Sequence, residues 1–344
     1  MNNHLLKVPF GRLLQEHPYA GDYFRSIGLS WKDSLLTPAE LIESVDEETM
    51  EDAGLSHEQM RTHFLEFMEQ ASALMKGSRR RLNSLTVIGG TDKNGRAENV
   101  ELELRPGDIM CIVGPTGSGK SRLLADIECF AQKDTPTGRT ILIDGKTPSQ
   151  EERFRFENKL VAQLSQNMNF VVDLNAENFV AMHASSRMVV DIENTVAAVI
   201  ECANELAGEK FERTTALTQL SGGQSRALMI ADTALLSSSP IVLIDEIENA
   251  GIDRKKALDL LVKKEKIVLM STHDPILALM GNRRIAISNG GISAVIETGE
   301  KEKENLSVLE AYDAKILSIR NMLRAGKKID FGMEEFLGLA EKAL

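Results

Sequence analysis

Eight consecutive residues, Gly114-Pro115-Thr116-Gly117-Ser118-Gly119-Lys120-Ser121, follow the spacing G-x-x-x-x-G-K-[ST], the pattern of a phosphate-binding loop. Glycines at such spacing let backbone N–H groups curl into a nest around phosphate oxygens. The N-terminus of the following helix adds its partial positive charge. Lys120 is then placed to reach the β- and γ-phosphates of a nucleotide, and the Ser121 hydroxyl to sit on Mg²⁺. The motif needs a strand before it and a helix after it. Ile109-Met110-Cys111-Ile112-Val113 predicts the strand, and Arg122-Leu123-Leu124-Ala125-Asp126-Ile127 the opening of the helix. These residues predict a nucleotide-binding protein.

Four further motifs follow in order. Gln166 stands in Leu164-Ser165-Gln166-Asn167, and Leu220-Ser221-Gly222-Gly223-Gln224 is an uninterrupted L-S-G-G-Q. Ile241-Val242-Leu243-Ile244 is closed by two carboxylates, Asp245 and Glu246, and Ser271-Thr272-His273-Asp274 follows the next apolar run. A carboxylate pair at the end of a buried strand lies at the ligand-binding edge of an α/β sheet, and a hard cation wants carboxylate oxygen.

Taken together, from about Leu85 to Ile296, these five motifs resemble those of the ATP-binding cassette (ABC) ATPases. The resemblance implies an ATP hydrolase that uses ATP and Mg²⁺. It places the phosphates on residues Gly114 through Ser121, and Mg²⁺ on Ser121, Asp245 and Gln166. Glu246 would polarise the attacking water, and His273 would contact the γ-phosphate as the switch histidine. Gln166 would also sense the attacking water and couple the site to whatever the protein moves. Ser221, Gly222, Gly223 and Gln224 of one cassette would close on the nucleotide held by another. With one cassette in the chain, a working site then requires a second copy or a homologous partner. A homodimer closed by ATP and released by hydrolysis is the expectation.

The sequence departs from the family pattern in three places. No aromatic residue occurs between Phe67 and Phe130, so the ring that stacks on adenine is missing and base selectivity is expected to weaken. Asp245-Glu246-Ile247-Glu248-Asn249-Ala250-Gly251-Ile252-Asp253 is one residue longer than the usual D-E-P-T-S-x-L-D. Asp253 is expected to be the D-loop aspartate. Arg122 replaces the threonine that usually follows the Mg²⁺ serine, where it could reach a partner or phosphate.

The elements that must position these residues are those of an α/β protein. The fold expected is a P-loop NTPase of ABC type, a mixed sheet with a helical subdomain, preceded by a small all-α domain and followed by a helical extension. Leu85–Ile88 and the alternating Val100–Leu104 read as a strand pair, and Thr140–Ile143 as a further strand. Ile241–Ile244 and Ile267–Met270 are continuous apolar runs, as parallel strands buried on both faces require. Before this region, Thr37-Pro38-Ala39-Glu40 and Ser56-His57-Glu58-Gln59 are capping boxes. The second opens a helix to about Met75. Domain bounds of 1–75, 76–84 (a basic linker through Arg79-Arg80-Arg81), 85–298 and 299–344 follow. In the last segment Leu309, Tyr312, Ile316, Ile319 and Leu323 form a helical stripe.

The first module, through Phe10-Gly11-Arg12-Leu13-Leu14 and Tyr23-Phe24-Arg25-Ser26-Ile27-Gly28-Leu29, resembles the helical N-terminal domain of ScdA-type iron–sulfur cluster repair proteins. Ser30-Trp31 stands where that family places cysteine, so only a docking role carries over. Cys111, Cys129 and Cys202 are too scattered for a disulfide framework or metal site. A net charge of −11 speaks against a general nucleic-acid binder, and no apolar stretch is long enough to span a membrane. A cytoplasmic location is expected. Two roles for the ATP stand open: remodelling or activating a protein client, a metalloprotein by the N-terminal resemblance, or driving a membrane permease as a transporter subunit. The first is favoured here because the N-terminal module is foreign to ordinary transporter subunits.

Overall fold

The computed structural model describes residues 3–29, 31, 35–46, 50, 54–76, 82–154, 160–165, 170–187, 189–246 and 252–338. It comprises two compact units, one of residues 1–81 with 181–196 and the other of 82–180 with 197–344.

The first unit opens with helices α1 (Phe10–Glu16), α2 (Ala20–Ser26), α3 (Pro38–Glu43) and α4 (His57–Lys76). Thr37 caps α3 as the sequence predicts: its hydroxyl accepts from Glu40 N, and the Glu40 carboxylate accepts from Thr37 N at 2.8 Å. Ser56 and Gln59 make the same exchange at the start of α4. Short helices of this kind need a dense core to persist in water. Here it is aromatic: Phe24 meets Phe10 edge-on at 4.9 Å and Phe64 at 5.4 Å, and all three rings are fully buried.

The second unit contains two sheets. Strands β1 (Leu85–Ile88), β2 (Glu101–Leu104) and β4 (Thr140–Ile143) form an antiparallel sheet in the order β2-β1-β4. Alternation in Glu101-Leu102-Glu103-Leu104 buries its two leucines and exposes its two glutamates. The larger sheet runs β5-β6-β7-β3-β8-β9 through β3 (Ile109–Val113), β5 (Val161–Leu164), β6 (Ile241–Asp245), β7 (Ile267–Ser271), β8 (Arg283–Ser288) and β9 (Gly291–Glu297). All its pairings are parallel except β8 with β9, so the mixed sheet expected from the sequence is present.

Helices α5 (Lys120–Glu128), α6 (Gln150–Phe154), α7 (Ala176–Ser186), α8 (Ile192–Leu206), α9 (Gly222–Leu235), α10 (Arg254–Lys263), α11 (Pro275–Met280), α12 (Glu300–Arg324) and α13 (Met333–Leu337) complete the chain. The apolar runs are explained by cover on both faces. Alternate residues Ile112, Leu243 and Leu269 pack with Leu123 and Ile127 of α5. Their neighbours Cys111, Val242 and Val268 pack with Ile230, Leu261 and Leu277 of α9, α10 and α11. Cys111 is fully buried, its Sγ donating to Leu277 O at 3.1 Å. Burial pushes its thiol pKa up to about 12.

The stripe on α12 is only partly covered. Ile319 is buried, whereas Ile316 and Leu323 are 37% and 57% exposed. No helix among the described residues is long and apolar enough to cross a membrane.

Candidate active site

Three parallel strands deliver the chemistry to one sheet edge. In the register Asp245 lies opposite Ser271, and Ile112 opposite the same Ser271. The carboxyl ends of β3, β6 and β7 therefore meet, which is where open α/β sheets bind ligands.

The loop after β3 turns on glycines in the left-handed region. Gly114 has φ +152°, and a Cβ there would lie 2.5 Å from Ile287 O. Gly119, at φ +110°, lets the loop pass against the backbone of Gly290, whose Cα would sit 3.0 Å from a Cβ. Gly290 N donates to Ser118 O at 2.7 Å, which ties the loop to the β8–β9 turn. Lys120, at the start of α5, is nearly buried, and its ammonium donates to Gly114 O and Pro115 O at 2.8 and 3.2 Å. Its partners are neutral carbonyls, so the loop carries an uncompensated positive charge. Ser118 Oγ is buried without a hydrogen-bond partner. Pro115, Thr116 and Gly117 cross the mouth of this loop exposed to solvent, as is Arg122 one residue beyond Ser121. A cation, an orphaned hydroxyl and a helix N-terminus together suit a polyphosphate.

Across from the loop, Ser121 Oγ donates to Asp245 Oδ2 at 3.4 Å. A hydroxyl beside a carboxylate is the oxygen donor set that Mg²⁺ takes in phosphate sites, so the residues present fit that ion. Glu246, the next residue, holds a left-handed φ of +51° that is uncommon outside glycine. Its N–H donates to Ser271 O at 3.0 Å, fixing the turn to β7. The strained turn brings Glu246 Oε1 within 3.9 Å of His273 Nδ1. Ser271 Oγ, on the residue opposite Asp245 in the register, is a second buried hydroxyl without a partner.

Among the described residues, the other sequence-predicted side chains make their hydrogen bonds elsewhere. Ser221 caps α9 in a capping box with Gln224, whose side chain also donates to Glu209 O at 3.2 Å. These bonds reach no loop residue, and Ser221 and Gly222 are exposed. Asp253 caps α10, accepting from Lys256 N at 3.1 Å, and its N–H donates to Leu206 O. Gln166 lies outside the described residues. Two arginines that no sequence motif marks are also placed here: Arg254 pairs with both Asp274 and Asp313, and Arg139 is fully buried against Glu98 and Asp126. Neither carries a spacing signal.

Comparison with known proteins bears on the family and the fold. The family described as ABC transporter matches residues 97–249. An uncharacterized ABC transporter ATP-binding protein of Methanocaldococcus jannaschii is 52% identical over 249 residues, 72% of this chain and 95% of that protein. The macrolide export ATP-binding/permease protein MacB of Campylobacter jejuni is 27% identical over 63% of this chain, which matches only 36% of its length. Among solved structures, cbiO1 from Clostridium perfringens, part of the ABC transporter complex cbiONQ, aligns with a TM-score of 0.51. At 18% identity, over 71% of this chain and 99% of that one, it bears on the fold alone. With the phosphate loop, the Asp245-Glu246 strand end and a relative matched over nearly its whole length, the chain belongs to the ABC transporter ATP-binding family and is an ABC-type ATP hydrolase.

Proposed function

We propose that the chain is the nucleotide-binding subunit of an ABC transporter, in which two cassettes close over Mg-ATP and drive a membrane permease from the cytoplasmic face. The observation that carries this reading is the half-site geometry. The phosphate loop and the exposed Ser221-Gly222 cap are separate elements of one chain, each suited to one side of a nucleotide. The similarity to transporter ATP-binding proteins supports the permease as the driven partner, in preference to the protein-activation role favoured by the sequence. So does the segment between Gln166 and the L-S-G-G-Q motif, where Val171 is 95% exposed and Val172 is 41% exposed.

Each residue then has a task. Lys120 exchanges the carbonyls of Gly114 and Pro115 for β- and γ-phosphate oxygens. Ser121 and Asp245 hold Mg²⁺, which neutralises phosphate charge. Glu246 orients the attacking water and accepts its proton, and His273 donates to the γ-phosphate. Backbone N–H groups of Gly222 and Gly223, at the start of α9, meet the γ-phosphate held by the partner copy. Gln166, Arg122 and Asp253 stay assigned as in the sequence reading, Asp253 facing the second cassette.

Two measurements test this. Gly119→Ala should push on Gly290 and strain a left-handed residue, a cost of about 1–3 kcal/mol, read as a roughly 5- to 150-fold weaker Kd for ATP by fluorescence titration. Capture from native membranes with Glu246→Gln in Mg-ATP should recover a polytopic membrane protein only in detergent, and Val171→Asp should abolish that recovery. A soluble metalloprotein recovered without detergent would instead favour protein activation, with the N-terminal helical unit as its docking module.

A further inference from the structure

The carboxylate beside His273 is held from outside the motif set. Asp274 caps α11, its Oδ1 accepting from Ile276 N at 2.8 Å. Its other oxygen pairs with Nη1 of Arg254, the first residue of α10. Nη2 of the same guanidinium donates to Asp313 of α12 at 2.8 Å. One planar cation thus joins the D-loop helix, the turn after β7 and the C-terminal helix, giving a separate nitrogen to each carboxylate. Asp274, Arg254 and Asp313 side chains are 16%, 23% and 40% exposed, so the clamp is partly shielded from water. Two more ion pairs hold α12 to this body, Arg284–Glu302 at 2.5 Å and Lys255–Glu310 at 2.9 Å. Of these three ion-paired contacts of α12, the one through Arg254 reaches the turn that carries His273.

We propose that Asp313 is a positioning residue for ATP hydrolysis: through Arg254 it fixes Asp274, and with it the turn that sets His273 beside Glu246. The inference rests on the reading of His273 as the γ-phosphate contact. Without Asp313 the Arg254 head has one partner fewer and more rotamers open to it. Asp274 is then steadied mainly by its own cap. His273 and Glu246 are already 3.9 Å apart, and misplacement of about 1 Å in a reacting constellation can cost a hundredfold in rate. The Asp313 end of the clamp is 40% exposed, and an ion pair open to water at one end adds little to folding, so its loss should register in turnover and leave melting where it was. By this route α12, which lies beyond the part of the chain the family pattern matches, has a hand in catalysis.

The test is steady-state Mg-ATPase kinetics on the full chain. Asp313→Asn should lower kcat roughly five- to tenfold with KM for ATP and the melting temperature unchanged, and Asp313→Glu should restore most of it. Glu310→Gln, which breaks the neighbouring pair on the same helix, should match the wild type. In an Arg254→Met background Asp313→Asn should have no further effect, since the two act as one unit. Wild-type kcat in Asp313→Asn, an equal loss in Glu310→Gln, or full additivity with Arg254→Met would each overturn the proposal. His273→Ala separates the two readings. If it keeps wild-type kcat, the role of His273 fails and the clamp's role fails with it. If it is inactive while Asp313→Asn is not, the clamp alone is wrong.

Discussion

Glu246→Gln is expected to lower kcat for ATP hydrolysis by roughly 10²- to 10⁴-fold, the range a positioned general base supplies, while ATP still binds. The substitution keeps the size and the hydrogen-bonding reach of the side chain and removes its capacity to take a proton. Nothing in the phosphate loop depends on it: Lys120 bonds to Gly114 and Pro115, and Ser121 bonds to Asp245. The left-handed backbone at this position is a property of the turn, anchored by the N–H bond to Ser271 O, and glutamine can occupy it as well as glutamate. Binding without hydrolysis should leave the two cassettes closed. Light scattering in saturating Mg-ATP should therefore report a dimer for Glu246→Gln and a monomer without nucleotide. A monomer under both conditions would remove the homodimer, and a kcat within threefold of wild type would remove Glu246 as the base.

The second large effect is on folding. Arg139 has no exposed surface and donates to Glu98 at 2.9 and 2.6 Å, to Asp126 at 2.9 Å and to Gly290 O at 3.1 Å. Both carboxylates are also satisfied elsewhere. Glu98 accepts from the N–H groups of Gly90 and Ile292, and Asp126 from the Thr137 hydroxyl. Arg139→Met fills similar volume but leaves two carboxylates buried beside each other with no cation. The expected loss is about 3–5 kcal/mol of unfolding free energy, measured by urea titration followed by circular dichroism. Adding Glu98→Gln and Asp126→Asn to Arg139→Met should recover a large part of it, because what costs is the orphaned charge. Asp126 lies on α5, behind the phosphate loop, and Gly290 supports Ser118. The double cost should therefore also appear as weaker ATP binding.

Acid should find the same network. Burial alone would raise the Glu98 pKa, but the Arg139 guanidinium and two backbone N–H groups outweigh it and hold the carboxyl below its ordinary value. A carboxylate with a depressed folded-state pKa stabilises fully above its unfolded pKa and loses that contribution as pH falls through the folded value. Stability should drop below about pH 4.3, the ordinary value for glutamate. In Glu98→Gln the acid limb of the stability curve should be shallower.

Much of the catalytic edge was readable in advance because its determinants are local. The phosphate loop declares itself by glycines at positions that demand left-handed backbone, and the strand runs of β3, β6 and β7 by unbroken apolar character. Other parts were hidden for physical reasons. β8 begins with Arg283 and Arg284, which read as surface. They pair with Asp108 and Glu302 from distant segments, the second of them on α12. Arg139 sits in Thr135-Pro136-Thr137-Gly138-Arg139, which looks like a solvated turn, and its burial depends on carboxylates 41 and 13 residues away. Arg254 is one of four charged residues in Asp253-Arg254-Lys255-Lys256. Nothing in that run singles out the one that faces inward. Long-range charge pairing has no period, so no spacing rule can report it.

Cys111 gives the cassette a built-in clock. Its sulfur is sealed between β3 and α11, hydrogen-bonded to Leu277 O and kept protonated at any ordinary pH. A thiol reagent needs thiolate and access, and here it has neither until the strand and the helix part. The rate at which a maleimide or disulfide reagent consumes this one cysteine therefore counts spontaneous openings of the layer between β3 and α11. Cys129 and Cys202, both partly exposed, would be replaced by serine to leave a single reporter. Comparing that rate with and without nucleotide would convert ligand binding into an opening free energy at this one site rather than for the chain as a whole.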